Sequence, residues 1–270
     1  MASRHIIFNM EMFNLKPRLS RDGKLAETRR GWILSIPAGP RNEYRLAQLD
    51  DHLAISRRAY PWRSPATLSL EARASSDVMP GTWGFGLWND PYGFSFGPGN
   101  GFLRLPALPN TAWFFYSSPT NYLSFRDDKP ANGFLAQLFA SPAFHPSLFL
   151  VAPALLFARK AARRLLSRVI DEDAVHVLGG STRGLDSSPS RNVTGWHAYE
   201  IQWASERTRF LVDGSCLLDS TYSPRSPMGL VIWIDNQYAG FRPDGKISWG
   251  LEENQEPAWL EIRDLVVKSR

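Results

Sequence analysis

Carboxyl groups set among aromatic residues are the side chains of this sequence best suited to proton chemistry. Asp235 ends the run Val231-Ile232-Trp233-Ile234. Alternate residues of a strand share a face, so Asp235 goes with Trp233 and Val231 while Ile232 and Ile234 turn to the core. Indole rings around a carboxyl destabilise its ionised form and raise its pKa. Such a group can protonate an alkene or a hydroxyl. The competing reading is a cap on the turn at Asn236-Gln237. Asp90 is the second candidate acid, and Asn89-Asp90-Pro91 is also a turn signal. Asp50-Asp51-His52 has the residue types for acid–base or metal work, but consecutive side chains diverge, and the triplet reads as a solvated turn. His145 and His176 have no partner at ligand spacing, so no metal site is expected. There is no G-x-S-x-G, and the glycine-rich stretch after Trp83 lacks the lysine and helix of a phosphate loop. No cofactor is expected.

Aromatics make up 13% of the chain, with 10 Trp, more than packing alone usually requires. Trp83, Trp88, Trp113, Tyr116 and Trp233 are the candidate ligand-binding residues. In Thr82-Trp83-Gly84-Phe85-Gly86-Leu87, the glycines clear one face while the large residues fill the other. Trp113 and Phe115 share a face; Tyr116 lies opposite and joins them only at a bulge or a strand end.

These residues need strands to position them. Leu68, Leu70 and Ala72 alternate with Ser69, Glu71 and Arg73, the period of a half-buried strand. Similar runs occur at 31–36, 43–49, 80–90, 112–116, 121–125, 196–203, 209–214, 229–236 and 258–267. Asp213-Gly214 is a hairpin turn signal. Strands separated by turns, without alternating helices, predict an all-β antiparallel sandwich over 1–270. Within it, 131–178 reads as a helical insertion. Phe134, Leu135, Leu138 and Phe139 fall at helical spacing, and a longer helix runs from Ser147 to Ile170, kinked at Pro153. Leu155, Ala158, Ala162, Leu165 and Val169 line its apolar face.

Several stretches in order resemble the family 16 glycoside hydrolases of the concanavalin A-like lectin and glucanase superfamily. They are PGTWGFGLWND (80–90), WHAYEIQW (196–203), RFLVDG (209–214), PMGLVI (227–232) and WLEIRDLVV (259–267). The resemblance implies a jelly roll with a concave, ligand-facing sheet, and a structural role for His197. It also implies a catalytic strand carrying E-x-D-x-x-E. Here that place reads Thr111-Ala112-Trp113-Phe114-Phe115-Tyr116, without a carboxylate, and the motif occurs nowhere else. No catalytic residue carries over.

The formal net charge is +5, but the excess is local: Arg159, Lys160, Arg163, Arg164 and Arg168 crowd one segment, and no acid occurs between Asp128 and Asp171. A clustered patch on an amphipathic helix suits peripheral contact with an anionic membrane better than nucleic acid. Cys216 is the lone cysteine, which excludes an intramolecular disulfide, and no basic-then-apolar leader opens the chain, so a cytoplasmic location is expected. Aromatics where a glucanase has acids, beside an apolar insert, predict a lipophilic ligand. Its conversion would be non-hydrolytic: cyclisation, isomerisation or hydration. The alternative is a divergent carbohydrate-binding or family 16-like protein.

Overall fold

A computed structural model describes residues 14–20, 22–53, 55–91, 107–143, 158–177 and 192–269. Sixteen strands, numbered in chain order, build two seven-stranded sheets and a hairpin. The first sheet runs in space as β1 (Lys16–Ser20), β4 (Leu46–Asp50), β13 (Gly229–Asp235), β6 (Thr82–Trp88), β7 (Thr111–Ser117), β8 (Gly133–Ala140) and β9 (Asp171–His176). The second runs as β12 (Ser215–Ser220), β11 (Thr208–Val212), β10 (His197–Trp203), β5 (Ala66–Ala74), β16 (Ala258–Ser269), β3 (Gly31–Ile36) and β2 (Lys24–Glu27). The strands β14 (Gln237–Phe241) and β15 (Ile247–Leu251) pair with each other and belong to neither sheet. Every ladder is antiparallel. The fold is an all-β antiparallel sandwich of the jelly-roll kind.

Period-two patterning accounts for the core. On β5 the even-numbered residues Leu68, Leu70 and Ala72 are buried and the odd-numbered ones half-buried. The inward residues of both sheets, such as Leu68, Phe85, Phe114, Ile201, Phe210, Ile232 and Leu260, form one continuous apolar cluster. Apolar burial of this kind is the main favourable term in folding. The hairpin turn at Asp213-Gly214 takes left-handed φ values of 51° and 76°, as a two-residue connection between right-twisted strands requires.

The described parts of 131–178 are two strands and a helix, not the wholly helical insertion that the spacing suggested; 144–157, with the expected helix start at Ser147 and the kink at Pro153, and residue 178 lie outside the described residues. Gly133–Ala140 is a strand that pairs with β7 and β9. It carries apolar residues on both faces because both faces are covered, and such a run mimics helical spacing. The one helix among the described residues is α1 (Arg159–Val169). Its apolar face also differs from the expected one. Leu165 is 42% exposed, whereas Arg163 is buried and Leu166 and Ile170 pack toward the sheet. The stretch 121–125 is likewise a covering segment and not a strand, tied to the hairpin by a bridge between Tyr122 and Gly240.

Arg163 is therefore not a membrane-contact residue. Its Nε donates to the Phe241 carbonyl at 2.9 Å, and its Nη2 to the Ser124 carbonyl at 3.2 Å and to Asp127 at 2.8 Å. It clamps α1 to the hairpin and to the 121–127 segment. Arg159, Lys160, Arg164 and Arg168 are exposed. No helix among the described residues is long and apolar enough to cross a membrane. Replacing Arg163 with Ala strands two buried carbonyl acceptors, so chemical denaturation should show a loss of about 3 kcal/mol. Arg164→Ala, at an exposed position one residue along, should change stability by no more than about 0.5 kcal/mol.

Candidate functional site

The outer face of the first sheet, turned away from the second sheet, gathers the chemistry-bearing residues. The strand register sets them in rows. Leu46, Asp235, Thr82 and Ser117 form one; Gln48, Trp233, Gly84, Phe115 and Leu135 form the next. Asp50, Val231, Gly86, Trp113 and Gln137 follow, and then Trp88, Thr111, Phe139 and Glu172.

Gly84 and Gly86 make the middle of this face possible. A Cβ on Gly84 would stand 2.8 Å from Cη2 of Trp233 and 2.5 Å from the Phe114 carbonyl oxygen; one on Gly86 would meet Cβ of Trp113 at 2.5 Å. The bare backbone of β6 is thus a trough into which indoles from both neighbouring strands lean. Trp113 and Trp233 approach to 5.5 Å between ring centroids, and Trp88 stacks near-parallel on Trp233 at 6.5 Å. Phe115 lies 5.6 Å from Trp233. Tyr44, Leu108, Leu123, Phe125 and Leu166 pack over this group, leaving Trp113 and Trp233 only 7% and 8% exposed.

Each indole N–H on this face is tied to a polar side chain, and two of the three reach a carboxylate through one relay. Trp233 donates to Thr82 Oγ1 at 2.9 Å, and that hydroxyl donates to Asp235 Oδ1 at 2.8 Å. Trp113 donates to Gln137 Oε1 at 3.2 Å, and the Gln137 amide donates to Glu172 Oε1 at 3.2 Å. Trp88 donates to His52 Nε2 at 3.0 Å. An indole nitrogen can only donate, so Nε2 accepts, and His52 carries its proton on Nδ1, 3.2 Å from the Leu230 carbonyl.

Asp235 lies among these groups at 7% exposure, sharing its face with Trp233. Burial pushes its pKa up to about 7, against smaller opposing effects of the bonds from Thr82, the Gln237 backbone N–H and the Tyr44 hydroxyl. It also caps the turn, accepting from Gln237 N at 3.2 Å. Both readings of this residue describe its contacts. Burial raises the Glu172 pKa as well.

The other candidates fall elsewhere. Trp83 and Tyr116 lie in the core between the sheets, stacked at 5.6 Å, with the Tyr116 hydroxyl bonded to both backbone groups of Met79. The β7 ladder is continuous on both sides and supplies no bulge to turn Tyr116 outward. Asp90 follows β6 at the end away from Asp235, in a left-handed conformation with φ 46°, its carbonyl holding the Arg57 guanidinium. Six residues at about 3.3 Å each separate Thr82 from Trp88, so roughly 20 Å or more divides Asp90 from Asp235. The two do not serve one bond. Asp50-Asp51-His52 is buried, not a solvated turn. Asp51 accepts from the Leu230 N–H at 2.8 Å, a partner far away in sequence, and from the Trp62 indole. Asp50 accepts from the Gln48 amide at 2.8 Å, while its Oδ1 has no hydrogen-bond partner among the described residues. His197 bridges Asp213 and the Asn192 carbonyl. No group of three metal-ligating side chains occurs among the described residues.

Gln48, Gln137 and Glu172 were missed in the sequence. Gln137 and Glu172 lay inside a segment read as helix, where a strand-face period was not sought.

Two outcomes follow from this geometry. Gly84→Ala should destabilise by about 1–3 kcal/mol in denaturant titration, because neither Trp233 nor the β7 backbone can retreat. A carboxyl raised to about 7 when folded binds more protons folded than unfolded between about pH 3.9 and 7. Its contribution is fully present below that window and is lost as pH rises through it. The stability of the wild type relative to Asp235→Asn should therefore fall by a few kcal/mol between pH 4 and pH 8 or so, as read by urea midpoints.

No family model matches the chain, and no curated protein does. Solved structures do. The legume lectin-like domain from Entamoeba histolytica is 10% identical at a TM-score of 0.47, over 98% of this chain and 94% of that one. A glycoside hydrolase family 16 endo-glucanase from Bacteroides ovatus is 9% identical at 0.45, over 92% and 94%. An endo-1,3-beta-glucanase (laminarinase) from Thermotoga petrophila is 12% identical at 0.42, over 89% and 80%. The chain's structural neighbours are thus lectin-like and family 16-like sandwiches at low sequence identity.

Proposed function

We propose that this protein binds carbohydrate on the outer face of its first sheet, without cleaving it by the paired-carboxylate mechanism. The observation that carries the reading is the composition of that face. Three buried carboxyl groups (Asp50, Glu172 and Asp235) and two amides (Gln48 and Gln137) are interleaved with Trp88, Trp113 and Trp233. Sugars present C–H faces to indole rings and hydroxyls to carboxylate and amide oxygens. A polyene or polyketide would use the rings alone and leave the five polar groups with no role beyond bonding one another and their neighbours. The lipophilic ligand suggested by the aromatic content is the weaker reading for that reason.

Hydrolysis needs two carboxyls about 5–9.5 Å apart across the glycosidic bond. The outward residues of β7 are Thr111, Trp113, Phe115 and Ser117. Asp235 and Glu172 are separated by four strand spacings of about 4.8 Å, roughly 19 Å. Asp50 and Asp235 sit on adjacent strands but are offset by four residues, about 13 Å. No pair on this face meets the requirement.

Screening purified protein against laminarin, lichenan and a panel of oligosaccharides, with tryptophan fluorescence as the signal, should find binding but no release of reducing sugar. Trp88→Ala, at the half-buried end of the aromatic row, should weaken that binding about ten-fold or more, with unfolding still cooperative but shifted down by the lost bond to His52. Absence of binding to every saccharide tested, with retention of a co-purified apolar molecule, would replace this reading with the lipophilic one.

A further inference from the structure

A cleft of about 490 Å³ opens beside the last row of this face. One wall is the end of β8 with Ser141, a second is the last turn of α1 with Arg168, and a third is the segment before β13 with Ser223 and Arg225. Phe139 and Ile170, which belong to the aromatic cluster, are chain neighbours of the lining residues Ala140 and Asp171. The first and third walls are joined by one buried side chain. Asn110 Oδ1 accepts from the Arg225 N–H at 2.8 Å and from the Ser141 N–H at 3.1 Å. Ser141 Oγ in turn donates to the Pro109 carbonyl at 2.6 Å. The cleft is therefore braced.

Its charge is what sets it apart. Most arginines with described contacts here are engaged with carboxylates or carbonyls, such as Arg30, Arg45, Arg73, Arg126, Arg163, Arg207 and Arg263. The guanidinium groups of Arg168 and Arg225 have no ion-pair or hydrogen-bond partner among the described residues. Asp171, the cleft's one carboxylate, lies on its lining without an ion pair to either. Arg168 gains from its place at the carboxyl end of α1, where a cation suits the helix dipole. No such reason places Arg225. Two guanidiniums without partners among the described residues, on one braced cleft, offer forked donors, the geometry that matches a carboxylate or sulfate.

We propose that this cleft is a subsite for an oxyanion, the carboxylate or sulfate ester of an acidic saccharide. The saccharide part rests on the carbohydrate reading above; the oxyanion part does not. The single Asp171 lowers the positive charge of the cleft without cancelling it.

The experiment compares a uronic-acid oligomer with its uncharged hexose counterpart, and uses sodium sulfate as a third probe, on wild type, Arg168→Gln and Arg225→Gln. Both side chains are exposed and without partners among the described residues, so the fold should persist. The acidic oligomer should bind roughly ten-fold more tightly than the neutral one, and either variant should remove that advantage while leaving neutral binding unchanged. Equal affinity for the two oligomers in wild type would overturn the oxyanion subsite. If neither oligomer binds, the carbohydrate reading fails, and sulfate decides the cleft by itself. Sulfate-induced shifts of arginine Nε resonances that vanish in Arg225→Gln would sustain the subsite; their absence in wild type would overturn it.

Discussion

The outer face of the first sheet depends on one steric fact: β6 presents backbone where its neighbours present rings. With Gly84 and Gly86 under them, the indoles of Trp113 and Trp233 lie down over the sheet instead of standing off it. That posture brings Trp88 and Phe115 into ring contact and buries the indole nitrogens. A buried N–H left without an acceptor costs about 1–3 kcal/mol, so each nitrogen must have one. Thr82, Gln137 and His52 supply them. The polar groups of this face are in this sense consequences of the aromatic ones.

The relays then decide how the acids behave. Asp235 and Glu172 are reached through a hydroxyl and an amide, neutral donors that stabilise a carboxylate less than a cation would. Burial outweighs them in both cases and lifts both pKa values. Neither acid has a described arginine or lysine partner, although the chain is rich in both. The described guanidiniums are spent on the second sheet, as in Arg73–Glu261 and Arg263–Glu71, and on the cover of the first, as in Arg163. Cations are kept off the aromatic face, and Arg168 and Arg225 at its edge have no partner among the described residues.

The cover is held by a residue whose sequence context pointed outward. Arg163 sits in a run of exposed cations, yet it alone of the five turns inward and bonds two carbonyls from separate segments. A guanidinium has five donors in a fixed plane and can join strands, hairpin and helix at one point. Lysine could not do so.

The sequence by itself determined the strands whose two faces differ in solvent contact, because period-two alternation is written directly in residue order. The runs at 66–74 and 199–203 show it; at 229–235, buried on both faces, parity still sets Asp235 beside Trp233. It also determined the glycine trough and the lack of carboxylates on β7. Where both faces are covered the alternation is lost, and β8 was read as helix although it lies within the first sheet. Only the tertiary structure decided which aromatics face outward together. Trp83 and Trp233 look alike in sequence, and the continuous β7 register sends Tyr116 into the core with Trp83. The same holds for Asp51, whose acceptor oxygens are filled by Leu230 and Trp62, and for Gln137 and Glu172, which become one relay only when β8 and β9 pair. Hydrogen bonds between residues far apart in the chain have no local signature, so the burial and partners of these groups emerge only once the sheet is assembled.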